Sequence, residues 1–427
     1  MLSSRGHNNA QLHKIPWRYA LAHTYNKETN PSGMISFGLA EHAPMRAEIA
    51  NYINTKVEFN IASVAYGSGN DATARLQKAV AAHLDDLLKP IASIDPENVI
   101  VASGATAIGS MLGFTLAEPG DGILASRPVY GRFELDYGVE AGVQMVYADT
   151  MTEEAFTPSV VEKYEIALED AQARGVRIRA LLLVNPHNPV GRCYPTQTLT
   201  EILKFCDKHQ LHIISDEVYA SCVFDSGDPG AVPFTSTLSL STPELINPDL
   251  VHLLYGFSKD FASGGLHLGF LISQNAPLRQ SCKAILRLHN ACSAAITIGT
   301  TMLEDRAFIH AFTAKSQQSL ASTYRIATST LDREGIKYIK GGNAGFFIYI
   351  DLSPYLQPPS PPAETHNNHP SVPEFTLAQN LVNAGVFLHP CEEHGMIPGW
   401  FRLVFAHEED VLREGLRRMI GVLKSLK

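Results

Sequence analysis

The chain has 427 residues, 45% of them hydrophobic and 18% charged, with a formal net charge of -9. That is ordinary globular composition, enough for about two or three domains, and it excludes the clustered Lys/Arg footprint of a nucleic-acid binder. No apolar run reaches the ~18 residues a membrane helix needs, and Met1 to Asn9 holds no apolar leader core. The cysteines form no CxxC pair and the histidines show no HxxxH or HExxH spacing, so free thiols, no metal site and a soluble cytoplasmic protein are expected.

Residues 1 to about 35 are polar and read as an arm. From about 60 to 300, short apolar runs alternate with helical stretches. Residues 99–102 read as a strand, and 106–117 as a helix closed by Glu118-Pro119-Gly120-Asp121. Further strands are expected at 123–125, 143–148, 178–184, 211–215, 251–255 and 268–272. Strands buried on both faces between helices mark a mainly parallel α/β sheet. Residues 276–334 read as largely helical and 344–350 as a strand; 357–373, crowded with Pro, Asn and His, reads as a loop. Helix and strand resume at 375–387 and 401–405. The expected organisation is an N-terminal arm and part of a small domain over 1–45, a large domain over 46–305, and a smaller α/β domain over 306–427.

The chemistry-bearing residues lie between these elements. Lys259, in Tyr255-Gly256-Phe257-Ser258-Lys259-Asp260, follows a buried strand and so reaches the sheet's C-terminal edge, where α/β proteins bind ligands. A lysine there can form a Schiff base with an aldehyde cofactor and later move a proton at a substrate Cα. Asp216 ends a strand of aliphatic residues, a costly place for an unpaired carboxylate. Its functional partner is a protonated pyridine nitrogen, whose charged form it favours. Tyr219 and Asn188, the latter in Asn185-Pro186-His187-Asn188-Pro189, offer donors to a ring phenolate oxygen. Singly these are a surface lysine, a helix cap and a turn; together they are the parts needed to hold pyridoxal phosphate and use it as an electron sink. Ser103-Gly104-Ala105-Thr106 links a strand to a helix, whose first N–H groups and dipole suit a phosphate. Tyr130 can stack on the ring. Arg402 can clamp a substrate carboxylate bidentately, and Glu41 can approach the substrate from the N-terminal segment.

These segments resemble the fold-type I pyridoxal-phosphate enzymes of the class I/II aminotransferase superfamily over about residues 35 to 410, and within it the 1-aminocyclopropane-1-carboxylate (ACC) synthase-like branch. Gly38-Leu39-Ala40-Glu41, Ser103-Gly104-Ala105-Thr106-Ala107, Asn343-Ala344-Gly345-Phe346-Phe347 and Pro398-Gly399-Trp400-Phe401-Arg402 are similar to that branch's GLAEN, GGATAA, NAGLF and PGWFR segments. The resemblance implies a large cofactor-binding domain, with a mainly parallel central sheet between helices, plus a smaller α/β domain. It implies Lys259 as the Schiff-base lysine, Asp216 as the pyridine-nitrogen partner, Tyr219 and Asn188 as phenolate-oxygen donors, and Tyr130 as the stacking aromatic. Ala105 and Thr106 match the phosphate turn. Arg402 matches the arginine that binds the substrate carboxylate, with Asn188, Gly38 and Glu41 beside the substrate. Tyr66 matches a tyrosine that reaches the neighbouring subunit's cofactor, which implies a homodimer with shared sites.

Two positions depart from the family. Its serine three residues before the lysine is Gly256 here, and its arginine eight residues after is His267. Ser258 supplies a hydroxyl in partial replacement. Histidine offers fewer donors than the arginine fork and ordinarily titrates at about pH 6.5, which implies a weaker, pH-dependent hold on the cofactor.

The implied enzyme reactions share an external aldimine and loss of the Cα proton to Lys259. An aminotransferase is favoured, as the broadest activity on this scaffold. The alternatives are a C–S lyase or ACC synthase-like elimination on a sulfur-containing amino acid or S-adenosylmethionine, and a catalytically silent cofactor-binding homologue. The expected partners are an amino acid and a second copy of the chain, with no nucleic acid and no membrane.

Overall fold

The computed structural model describes residues 2–12, 24–65, 71–150, 153–357, 373–390, 395 and 397–426. Tyr66 and nearly all of the 357–373 loop lie outside the described residues.

A two-residue strand, β1 (Ile35–Ser36), precedes the strands of the main sheet: β2 (Val99–Ala102), β3 (Gly122–Arg127), β4 (Gln144–Asp149), β5 (Ile178–Val184), β6 (His212–Asp216), β7 (Val251–Gly256) and β8 (Gly269–Ser273). They form a seven-stranded sheet in the order β2-β8-β7-β6-β5-β3-β4. Strands β4, β3, β5, β6 and β7 pair in parallel, and β8 runs antiparallel to β7 and β2. Parallel pairing needs a crossover, usually a helix. Between β7 and β8 the chain has only the one-turn helix Phe257–Asp260 and the 3-10 turn Gly264–Leu266, so it folds straight back.

Successive strand residues face opposite sides of the sheet. Along β2, Ile100 and Ala102 enter one apolar cluster, and Val99 and Val101 another. Along β5, Ala180, Leu182 and Val184 divide in the same way from Leu181 and Leu183. Helix Ala105–Leu116 covers one face; Asp71–Leu88 and Ser293–Glu304, with Val160–Ala173 and Thr196–His209, cover the other. That double burial is why the strands read as continuous apolar runs. The helices of the 276–334 region begin on side-chain caps: Asn275 accepts from Leu278 N–H at 2.9 Å, and Asp305 from Phe308 N–H at 3.0 Å.

A second sheet contains β9 (Phe347–Asp351), β11 (His389–Pro390) and β12 (Trp400–Val404), antiparallel in the order β11-β12-β9. The short β10 (Val386–Phe387) pairs in parallel with β1. Phe37 N–H donates to Phe387 O at 2.7 Å, and Val404 N–H donates to Phe37 O at 2.9 Å. The N-terminal segment is thereby led past β12 toward the main sheet. The strand expected from 344 starts at Phe347, because Gly345 sits at φ +68 and breaks the extended run. None of the described helices is long and apolar enough to cross a membrane.

Candidate active site

The C-terminal ends of β2, β3, β5, β6 and β7 open on one edge, where a cleft of about 960 Å3 lies. Each strand delivers expected residues into it: Ala105 and Thr106 after β2, Tyr130 after β3, Asn188 after β5, Asp216 and Tyr219 at the end of β6, and Ser258 and Lys259 after β7. His267, just before β8, joins them, as do Gly38 from the N-terminal segment and Arg402 from β12. Glu41 is not among the lining residues; its Oε2 pairs with Arg46 at 3.1 Å. It still stands at the rim, because a Cβ built on Gly264 would lie 4.0 Å from its Oε1.

Lys259 lies on the one-turn helix that ends β7. Its Nζ donates to Ala40 O at 2.8 Å and lies 5.9 Å from the Tyr219 ring centroid. Burial, then the Arg402 guanidinium, pulls its pKa down to about 8. An amine in this state is far more often neutral, hence nucleophilic, than an exposed lysine.

Asp216 is buried at the foot of the cleft, where its Oδ1 accepts one backbone N–H, from Val218 at 3.3 Å. Burial pushes its carboxyl up to about 7, helped by nearby Asp136. Tyr219 is held edge-on by Phe346 and Phe347, each with its ring centroid 5.3 Å away.

Arg402 is 3% exposed, in the middle of β12. Nη1 donates to Asn188 Oδ1 at 3.0 Å and Nη2 to Gly38 O at 2.6 Å, while the buried Nε has no partner. Among the described residues no carboxylate pairs with it. A buried cation held only by neutral oxygens has room for an anion. Gly38 is required here: a Cβ on it would fall 2.6 Å from the Phe387 ring and 2.9 Å from that of His389.

Two observations test whether pyridoxal phosphate fits. Gly104, at φ +92, starts helix Ala105–Leu116 with no side-chain cap, so the first turn faces the cleft as an anion cradle. The buried Asp216 carboxylate has no ion-pair partner among the described residues, and a pyridinium nitrogen would supply one. The residues fit the cofactor. His267 lies against this cradle, its Nδ1 3.8 Å from a Cβ built on Gly104. At Gly256 a Cβ would approach Leu268 O to 3.1 Å, so β8 crowds any side chain at that position.

Sequence reasoning missed Asp136 and His389, both of which line the cleft. Asp136 accepts a hydrogen bond from the Thr106 side chain, and burial lifts its carboxyl to about 6. His389 is the cross-strand neighbour of Arg402 and packs edge-on against Phe387. In the sequence Asp136 looks like one acid of an exposed helix. Only the packing of Phe133–Gly138 on Ala105–Leu116 turns it inward.

The family model described as aminotransferase class I and II matches residues 63–419. The chain is 29% identical to 1-aminocyclopropane-1-carboxylate synthase 2 of Solanum lycopersicum, over 96% of this chain and 84% of that one. It is 30% identical to 1-aminocyclopropane-1-carboxylate synthase-like protein 1 of Mus musculus, over 94% of this chain and 78% of that one. Among solved structures it is similar to a single mutant of Thermus thermophilus aspartate aminotransferase, with a TM-score of 0.73 at 19% identity over 99% of both chains. That last likeness is one of fold.

Proposed function

Because the chain belongs to the aminotransferase class I and II family, whose members depend on pyridoxal phosphate, we propose that it is an aminotransferase acting on an α-amino acid, with Lys259 moving the proton at Cα. The observation that carries this reading is the pair Lys259 and Arg402. Both open on the cleft, and among the described residues neither has a carboxylate partner.

The cofactor, when bound, supplies an aldehyde that takes up the amino group and a ring that draws electrons from Cα. Ala105 and Thr106, at the helix start, would hold its phosphate, with His267 and Ser258 alongside. Asp216 would pair with the ring nitrogen, and pairing with a cation there would draw its raised pKa back down and keep it ionised. Tyr219 and Asn188 would donate to the ring oxygen. Arg402 takes the substrate carboxylate through N–H groups left after Asn188 and Gly38 have fixed its plane. Lys259, neutral above about pH 8, removes the Cα proton as a general base and returns it as the acid.

A second reading is elimination from a sulfur-containing amino acid. It is favoured by the ACC synthase relatives and by the segments Gly38-Leu39-Ala40-Glu41 and Pro398-Gly399-Trp400-Phe401-Arg402, which are similar to that branch. Mixing the loaded protein with an amino-acid panel and no keto-acid acceptor separates the two. Transamination gives one keto acid per site and then stops; elimination releases a thiol or a cyclised product repeatedly. A homodimer belongs to this proposal, supported by Phe59, Ile61 and Val64, which are 53%, 88% and 81% exposed beside the segment that contains Tyr66. Light scattering of the purified protein measures it.

A further inference from the structure

Beside Lys259 stands a carboxylate for which the chemistry above has no use. Asp260 closes the one-turn helix and is 2% exposed. Its Oδ2 accepts from Ser221 N–H at 2.9 Å and from the Tyr255 hydroxyl at 2.8 Å, and its Oδ1 accepts from Cys222 Sγ at 3.1 Å. Among the described residues no cation pairs with it. A carboxylate buried on neutral donors is a costly way to stabilise a fold, and burial raises its pKa to about 6.

What its donors share is their place in the chain. Ser221 and Cys222 end the turn that starts at Asp216 and carries Tyr219. Tyr255 belongs to β7, just before the turn that carries Lys259, and its hydroxyl lies 3.1 Å from His83 Nε2 on helix Asp71–Leu88. The Lys259 amine is held by its hydrogen bond to Ala40 O and by packing near the Tyr219 ring. Its position also depends on where its backbone is held.

We propose that Asp260 is a positioning residue that ties the Lys259 turn to the Asp216–Tyr219 turn and so fixes where Nζ meets the substrate Cα. The proposal rests on the reading of Lys259 as the group that moves that proton. A misplacement of about 1 Å at a reacting group costs on the order of 100-fold in rate.

The test uses cofactor-loaded wild type, Asp260→Ala, Asp260→Asn and Tyr255→Phe, with an amino acid whose Cα–H the wild type exchanges with solvent. Cofactor content, kcat, KM and the exchange rate are read for each. Asp260→Ala is expected to lose about 100-fold in kcat and exchange, with KM within about threefold. Asp260→Asn, which keeps an acceptor for Ser221 N–H, is expected to recover to within about tenfold of wild type. Tyr255→Phe leaves Asp260 in place without one of its donors and is expected to lose about three- to tenfold in kcat alone. Wild-type kcat in Asp260→Ala, an asparagine variant no better than alanine, or a loss confined to KM overturns the proposal. If Asp260→Ala does not fold, an unchanged kcat in Tyr255→Phe overturns it. A wild type that exchanges no Cα–H overturns the reading of Lys259 and this proposal with it, an outcome distinct from normal exchange in all variants.

Discussion

Replacing Asp216 by asparagine separates what its carboxylate does for the cofactor from what it does to the fold. Burial moves this acid from an ordinary value of 3.8 to about 7. At about 1.36 kcal/mol per pH unit, that gap is worth about 4 kcal/mol in favour of the neutral form. An acid whose folded pKa is raised stabilises the native state fully below the unfolded value, and that stability is lost as pH rises through the folded value. The cofactor-free wild type should therefore lose up to about 4 kcal/mol from this group between pH 4 and pH 8. Asparagine has no such loss. The cofactor-free Asp216→Asn protein should match wild type near pH 4 and exceed it by up to about 4 kcal/mol at pH 8. Asp136 titrates in both proteins, so the comparison subtracts most of its effect. Urea unfolding at several pH values measures the difference. Loaded with cofactor, the ranking of usefulness inverts: the variant should hold pyridoxal phosphate more weakly and turn over far more slowly, because the carboxylate proposed to pair with the ring nitrogen is gone. An asparagine variant with no stability advantage at pH 8, or with the same advantage at pH 4, refutes the claim that a desolvated carboxylate waits at the foot of the cleft.

Four further outcomes are expected. Covalent attachment of pyridoxal phosphate to the cofactor-free protein, trapped with borohydride and read by mass, should rise with pH around a midpoint near 8, following the Lys259 amine. Arg402→Ala removes a cation that lowers this pKa and should move the midpoint upward. Arg402→Lys should raise KM for the amino acid about 100-fold, the equivalent of about 3 kcal/mol of charge-assisted, bidentate hydrogen bonding, with a smaller change in kcat. His267→Arg should slow cofactor loss during dialysis several-fold by adding a permanent fork of donors beside the Gly104 turn; equal loss from both proteins contradicts a phosphate role for position 267.

Much of this arrangement was legible because the main sheet is buried on both faces. Its strands stand out as apolar runs, and the polar residues at or just past their ends, Asn188, Asp216 and Lys259, stand out against them. The parallel order of β3, β5, β6 and β7 then brings those ends to one edge. What stayed hidden depends on packing between distant segments. Asp136 looks like any helical acid until Phe133–Gly138 docks against helix Ala105–Leu116. Asp260 looks like a turn residue until Ser221, Cys222 and Tyr255 close on it. The partnerless Nε of Arg402 appears only once Asn188 and Gly38 have occupied its other nitrogens. Glu41, expected beside the substrate, stands at the rim and pairs with Arg46. Tyr66 falls outside the described residues.

Movement by Lys259 of the Cα proton of an α-amino acid held by Arg402 is followed through loss of the Cα–H signal by NMR in deuterated water. A panel of amino acids would be compared in wild type and Lys259→Ala, each loaded with cofactor. Cofactor-dependent exchange of at least one amino acid is expected in wild type, slowed by at least about 1000-fold in Lys259→Ala, on the order expected when a general base is lost. Equal exchange in the two proteins, or none in wild type with any amino acid, rules out this role for Lys259.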